Sequence, residues 1–370
     1  MLSLRLAPSK KARNTLVGIA LAALALTTSA CSHAATTTAA AADPSSSSTG
    51  TPAASLNLGY FANVTHSTAI VGVANGFFTA KLGSTKLNTQ IFASGPTEMT
   101  ALLAGKLDAA YVGPSSALTA YIQSKGTALK IVAGAETDGA ELVVNSSITS
   151  VADLKGKTLA DPQLGNTQDV ALRYWLKQQG YATNLQGGGD VNIEPTANST
   201  TLSLFEEGKI QGAWVPEPWA SRLVVEGGGH VLVDEKSLWP GGQFATTNLV
   251  VNTAYLNAHP QTIEELLEGQ IAANAWITAN PTQAQTVINT QLPKLSGSAL
   301  KSSEITRSWT EESVTNDPIA GSLQTELNHA VSDGLLKNSS INGIFDLTLL
   351  NQALTAAGDP TVSAAGLGSQ

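Results

Sequence analysis

From Leu56 to about Val233, short apolar runs alternate with longer segments whose apolar positions recur at helical spacing. The runs predict strands at Leu56–Tyr60, Leu87–Phe92, Asp108–Val112, Leu129–Ala133, Glu141–Val144, Lys157–Ala160, Val191–Glu194, Gln211–Val215 and His230–Val233. Helices are expected between them, at Ser67–Phe78, Pro96–Ala104, Ser115–Ser124, Thr167–Gln179, Ser199–Glu207 and Pro218–Glu226. Such alternation argues for an α/β fold with largely parallel sheets. The run Phe244–Asn252 reads as a return strand. From His259 onward helix follows helix, broken at Pro260, Pro281 and Pro293, and the last ten residues look frayed.

Within this pattern one unit occurs twice. The stretch from Gly105 to Pro114 answers to that from Gly208 to Glu217, and the register holds at an offset of 103 from Leu102/Phe205 to Ala117/Ala220. Each copy is a Gly-Lys turn, a short apolar strand and a Pro-containing helix start. The N–H groups at the start of a helix have no intrahelical partner, so a strand running into a helix is a natural place for a small ligand. Two copies imply two similar lobes facing one another across a cleft. The expected division is 56–142 plus 245–370 for lobe one, with the C-terminal helices on its flank, and 143–244 for lobe two.

The first 55 residues read as an address and a leash. Arg5, Lys10, Lys11 and Arg13 precede an apolar run, Leu16–Leu26, of 11 residues, which suits a signal-peptide core and is too short to span a bilayer. Small residues then lead to Cys31, the only cysteine, so no internal disulfide is possible. Ser-Ala before Cys31 resembles a bacterial lipobox, with Thr28 where Leu is usual. Residues 1–30 are therefore expected to be a lipoprotein signal peptide and Cys31 a lipidated N-terminus. Ordinary cleavage near Ala30 or Ala35 is the alternative. Residues 31–55 contain almost nothing to bury and are expected to form a flexible tether. Removing the leader takes away four positive charges and no acids, leaving a net charge of −12 where the whole chain has −8. No basic stripe remains to meet phosphates, which excludes nucleic acid as a partner.

Four stretches, YFANVTHSTAIVG (60–72), IFASGPTEMTALLAGKLDAAYVGPSSA (91–117), DLKGKTLADPQLGNTQDVALRYWLKQQG (153–180) and GKIQGAWVPEPWASRLV (208–224), carry a family likeness. The chain resembles the substrate-binding proteins of ABC importers for nitrate, sulfonate and taurine, and within them the aliphatic-sulfonate binders. The resemblance implies a type II periplasmic-binding-protein fold, two lobes joined by a hinge with a ligand cleft between them. It implies a protein that closes on an aliphatic sulfonate or taurine and delivers it to an ABC permease and its ATPase subunits; with the leader and Cys31, the expectation is an extracytoplasmic, lipid-anchored monomer. The same role for nitrate, bicarbonate or a pyrimidine-type thiamine precursor is the alternative, and an enzyme or a sensor on the same fold is a second.

Candidate ligand contacts follow from loops that enter helices. Asn63 and His66 follow the first strand and either meet an anionic head group or make a turn and a cap. Ser94, Gly95 and Thr97 surround a helix start where glycine permits close approach and Ser94 can cap. Gly113, Pro114, Ser115 and Ser116 repeat that arrangement, as do Asn166, Thr167 and Gln168 after Gly165. Trp214 and Trp219 are expected to wall the pocket. Glu217, between two prolines, either clamps a ligand ammonium or caps the helix and pairs with a lobe-one residue. The five histidines lack metal-ligand spacing and no nucleophile elbow is present, so neither metal, cofactor nor catalytic set is expected.

Overall fold

The structure, a computed structural model, describes residues 52–370. The leader, Cys31 and most of the proposed tether lie outside the described residues. The chain lays down β1 (Ser55–Phe61), β2 (Lys86–Phe92), β3 (Ala109–Val112) and β4 (Leu129–Asp138), then β5 (Ala140–Val144), β6 (Thr158–Asp161), β7 (Asn192–Pro195), β8 (Gly212–Pro216) and β9 (His230–Asp234). It continues with β10 (Ala245–Asn252), β11 (Glu312–Val314), β12 (Phe345–Asp346) and β13 (Gly368–Ser369). One sheet has the order β13-β12-β4-β10-β3-β1-β2, with β11 on β4, and the other the order β7-β6-β8-β5-β9.

The repeat seen in sequence is a repeat of topology. β3 and β8 each lie between a parallel neighbour, β1 or β6, and an antiparallel one, β10 or β5. β2 and β7 extend the parallel side, while β4 and β9 extend the antiparallel side. Each sheet thus contains a mixed five-strand unit in which the antiparallel strand beside β3 or β8 comes from the chain that crosses between lobes. The first crossing turns on Gly139, where Asp138 and Gly139 both take positive φ, +66° and +71°. The second runs from Glu235 to Phe244 into β10. The two crossings are tied together, since Asp138 N donates to Phe244 O at 3.2 Å and the Thr246 hydroxyl donates to Asp138 O.

Alternation along the strands sorts the cores. In the second sheet Leu142, Val144 and Trp214 join one buried cluster with Trp175, and Val143, Ala213 and Val215 join another with Phe205. Both faces of this sheet are therefore covered. The larger lobe packs Leu56, Leu58, Tyr111, Ile131 and Val250 against the helix Pro260–Ala279 through Ile263, Leu266 and Leu267.

Several expectations are corrected. The ordered body begins before residue 56: Ala53 is buried, its N–H donates to Thr262 Oγ1 at 2.9 Å, and its carbonyl accepts from Thr85. Glu141 and Leu142 already pair in the second sheet, so the crossing falls slightly ahead of residue 142. The helix expected over Ser67–Phe78 is two, Ser67–Ala74 and Phe77–Leu82, because Gly76 takes φ +76° between them. The last ten residues are not frayed. Ala364 is fully buried, and β13 pairs with β12 and so extends the first sheet.

Burial pushes the carboxyls of Glu136 and Glu235 up to about 8 and that of Glu326 up to about 7. Above the unfolded value of 4.5 the folded chain keeps protons on these groups that the unfolded chain has released. Burial holds His66 and His329 down at about 3 and 4, and they oppose this trend only below their ordinary 6.5. Stability is therefore expected to fall between about pH 6.5 and 8.5. Urea unfolding at the two pH values checks this, and an unchanged or rising midpoint contradicts it.

Candidate functional site

Four helix starts converge on the cleft between the sheets. From the larger lobe come the 3-10 turn Val64–His66, which follows β1, and the helix Pro114–Gln123 with Gly113 at its cap position. From the other come the helices Thr167–Gln178 and Asn198–Glu206. The cavity they enclose, about 20 Å³, is lined by Phe61, Asn63, Thr65, His66, Ala93, Gly113, Pro162, Asn166, Thr167, Gln168, Asn198, Pro216, Thr246 and Thr247. That is room for one or two water-sized groups.

Not one of these residues is a lysine, arginine or carboxylate. The polarity of the cavity comes from amides, hydroxyls and helix-end N–H groups. His66 adds no charge at neutral pH, because burial holds its imidazole down at about 3. Its Nδ1 accepts from Phe61 N at 3.4 Å, which leaves Nε2 as the protonated nitrogen. The hydroxyl of Thr167 is buried without a hydrogen-bond partner, a cost that an incoming acceptor would remove, whereas the Oδ1 of Asn198, also unpartnered, calls for a donor. Neutral donors around a small cavity suit an oxyanion of single charge. They leave no carboxylate to repel it and no fixed cation to demand a dianion.

A groove of about 600 Å³ adjoins the cavity and shares Phe61, Asn63, Ala93 and Asn198 with it. Its apolar side is made by Ile91, Phe92, Leu202, Trp219 and Leu295, and Arg222, Glu206 and Glu226 also line it. Trp219 is fixed there, its indole N–H donating to Asn63 Oδ1 at 3.1 Å and its ring lying under the Arg222 guanidinium at 4.8 Å. Arg222 in turn pairs with Glu226 at 2.5 Å.

Beyond the cavity the lobes touch directly. Ser94 Oγ donates to Gln163 Oε1 and lies 3.1 Å from Thr97 Oγ1. A Cβ on Gly95 would stand 2.7 Å from Ser116 Cβ and 3.1 Å from Asn166 Oδ1, and one on Gly113 would collide with Thr167 Oγ1. Glycine is what permits this approach.

A family model described as NMT1-like matches residues 49–291. The chain belongs to the NMT1-like family.

Among relatives of this NMT1-like chain, a binding protein of Brucella abortus is 24% identical over 230 residues, covering 62% of this chain and 69% of its own. The taurine-binding periplasmic protein of Escherichia coli is 27% identical over 216 residues, covering 58% and 64%. Among solved structures, the alkanesulfonate-binding protein of Xanthomonas axonopodis superposes with a TM-score of 0.65 at 20% identity, over 78% of this chain and 96% of its own. The periplasmic nitrate-binding protein of Synechocystis superposes at 0.69 with 18% identity, over 86% and 91%. These likenesses show the two-lobed periplasmic-binding-protein fold.

Of the residues expected at the site, the NMT1-like fold brings Asn63, His66, Gly113, Asn166, Thr167 and Gln168 to the cavity and Trp219 to the groove. Ser94, Gly95, Thr97 and Ser116 lie where the lobes touch. No side-chain cap forms at Asn63, Ser94 or Asn166. Pro114 is buried at a helix start, and the Ser115 hydroxyl donates to Glu326 inside the lobe. Trp214 does not wall the pocket. It is fully buried against Trp175, with its indole N–H on Glu235 at 2.7 Å. Glu217 is buried and fully engaged: it accepts from Ser221 N, from the hydroxyls of Ser221 and Ser308, and from Arg307 at 2.7 Å. Arg307 also holds Glu141 at 2.6 Å. Glu217 thus both ties the start of its helix and pairs with the C-terminal helix Ser302–Glu311.

Asn198, Thr246 and Thr247 line the cavity without having been expected there. Asn198 opens a helix after a strand, the rule that found the others, and the two threonines begin the return strand. Among the described residues, no group of three or more His, Cys, Asp or Glu could hold a metal ion.

The two tryptophans separate stability from binding. Trp214→Ala is expected to cost about 3–5 kcal/mol, and Trp219→Ala less than half of that, measured by urea unfolding. Equal losses would mean that Trp219 belongs to the core.

Proposed function

We propose that this protein is the extracytoplasmic binding component of an ABC importer, and that it delivers a small aliphatic sulfonate to a membrane permease driven by ATPase subunits. The observation that carries the reading is the joining of two spaces of unlike chemistry. A small cavity of neutral donors opens into a larger groove with an apolar wall. One or two oxygens of a sulfonate head suit the first and an alkyl chain the second, whereas nitrate or bicarbonate has no use for the groove. The family, and relatives named for taurine, aliphatic sulfonates and nitrate, support the importer role.

A simple alkanesulfonate is favoured over taurine. Glu217, the carboxylate expected to clamp an ammonium group, is committed to Arg307, Ser221 and Ser308, and in the groove Glu226 pairs with Arg222, which leaves Glu206 as the remaining acid there. In this reading Thr167, Asn166, Gln168 and Asn198 from one lobe and Asn63, His66 and Gly113 from the other hold the head group. Trp219 covers the chain, and closure about Gly139 brings the two sets together. Ser94 and Thr97 fasten the closed form through Gln163. The protein acts as a monomer held to the membrane by a lipid on Cys31.

A thermal-shift panel of methanesulfonate, butanesulfonate, taurine, nitrate and bicarbonate tests this. Butanesulfonate at a hundred times its Kd is expected to stabilise the protein by about 2.7 kcal/mol, and Thr167→Val to weaken its binding roughly tenfold, the value of one buried hydrogen bond. A response to nitrate or bicarbonate with silence toward every sulfonate would overturn the ligand and leave the importer role standing.

A further inference from the structure

A second pocket lies away from the cleft, where the helix Thr167–Gln178, the crossing segment Glu235–Trp239 and the helix Ala320–Ser332 meet. Its volume is about 260 Å³, and its walls include Tyr174, Trp175, Trp239 and His329, with Glu235 among them. Each ring is fixed by another. Tyr174 stacks on His329 with centroids 3.6 Å apart, Trp239 stacks on Phe244 at 5.5 Å and leans on His329 at 5.6 Å, and Trp175 packs on Trp214 at 5.9 Å.

The carboxylate is what makes this space unusual. Glu235 is almost wholly buried, and its oxygens accept the indole N–H groups of Trp214 at 2.7 Å and Trp239 at 3.3 Å. Among the described residues no lysine or arginine forms an ion pair with it. Burial pushes its carboxyl up to about 8, and a second buried carboxyl, Glu326, adds to this, so Glu235 holds its proton at neutral pH. His329 is held neutral by burial and brings no competing charge. Aromatic walls favour a cation through their ring faces, and a cation seated there draws the proton off Glu235, so its binding strengthens as the acid ionises.

Hydrogen-bond supply decides which cation. A primary ammonium needs three acceptors to replace its water shell; Glu235, Gln178, Gln179 and Thr325 bring acceptors to the pocket, but the ring faces that make up much of its wall bring none. A quaternary ammonium needs none and gains most from aromatic surface. We infer that the cavity walled by Tyr174, Trp175, Trp239 and His329 over Glu235 is a second ligand site, for a compact quaternary ammonium compound. It is independent of what fills the cleft. Its walls come from a helix of the second lobe, from the crossing segment and from a C-terminal helix, so an occupant would touch all three.

Titration of the full protein with choline and tetramethylammonium, followed by tryptophan fluorescence, tests the site. 3,3-Dimethyl-1-butanol, choline with carbon in place of nitrogen, is the neutral control. Saturable quenching by both cations is expected, with the neutral isostere at least tenfold weaker. At pH 9, where Glu235 is ionised, Glu235→Gln is expected to weaken choline binding at least tenfold, and Trp239→Leu similarly, with circular dichroism verifying that each variant is folded. No saturable response to either cation, equal affinity for the neutral isostere, or full affinity in the folded variants would overturn the proposal.

Discussion

The whole arrangement rests on how closely two helix starts of one lobe can approach the other lobe. At Gly113 a single extra carbon would run into Thr167 of the other lobe, and at Gly95 it would crowd Asn166 of the other lobe and run into Ser116 of its own. The donors at Asn63, His66 and Gly113 therefore reach the same small space as Asn166, Thr167 and Asn198 only because two residues carry no side chain. Protein interiors are close-packed and do not absorb such intrusions cheaply. The repeated topology delivers that approach: the same strand-to-helix unit is built once in each lobe and turned to face its copy.

Charge is kept out of the cavity and concentrated beside the crossings. Glu141 and Glu217 share Arg307, Lys236 pairs with Asp234 and Glu311, and Glu136 accepts from the backbone of Thr68. The Arg307 and Glu311 pairs tie the C-terminal segment to the second lobe and its crossing next to the turn at Gly139. The cavity is left with neutral dipoles. A ligand of single negative charge then replaces its water shell with preoriented N–H and O–H groups, without displacing an internal ion pair.

Most of the fold was legible because its signals are local. The strand and helix sequence follows from short apolar runs and helix starts, and β3 and β8 match because their sequences do. Local signals misled where the deciding partner is remote. Trp214 ends a strand beside a helix start, as a pocket wall would, but both faces of its sheet are covered and its indole turns to Glu235. Glu217 meets Arg307, 90 residues further on, and nothing near either residue announces the other. The tail TVSAAGLGSQ has the composition of a frayed end, yet it finds the edge of β12. Asn198, by contrast, was readable by the rule already in use.

The central claim is that a sulfonate draws two lobes together around a cavity of neutral donors. Small-angle X-ray scattering of the protein with and without a saturating alkanesulfonate tests it most directly. The account predicts an expanded ligand-free form and a smaller radius of gyration with ligand, matching the closed arrangement described above. An identical radius in both samples, with the ligand shown by calorimetry to be bound, would contradict it.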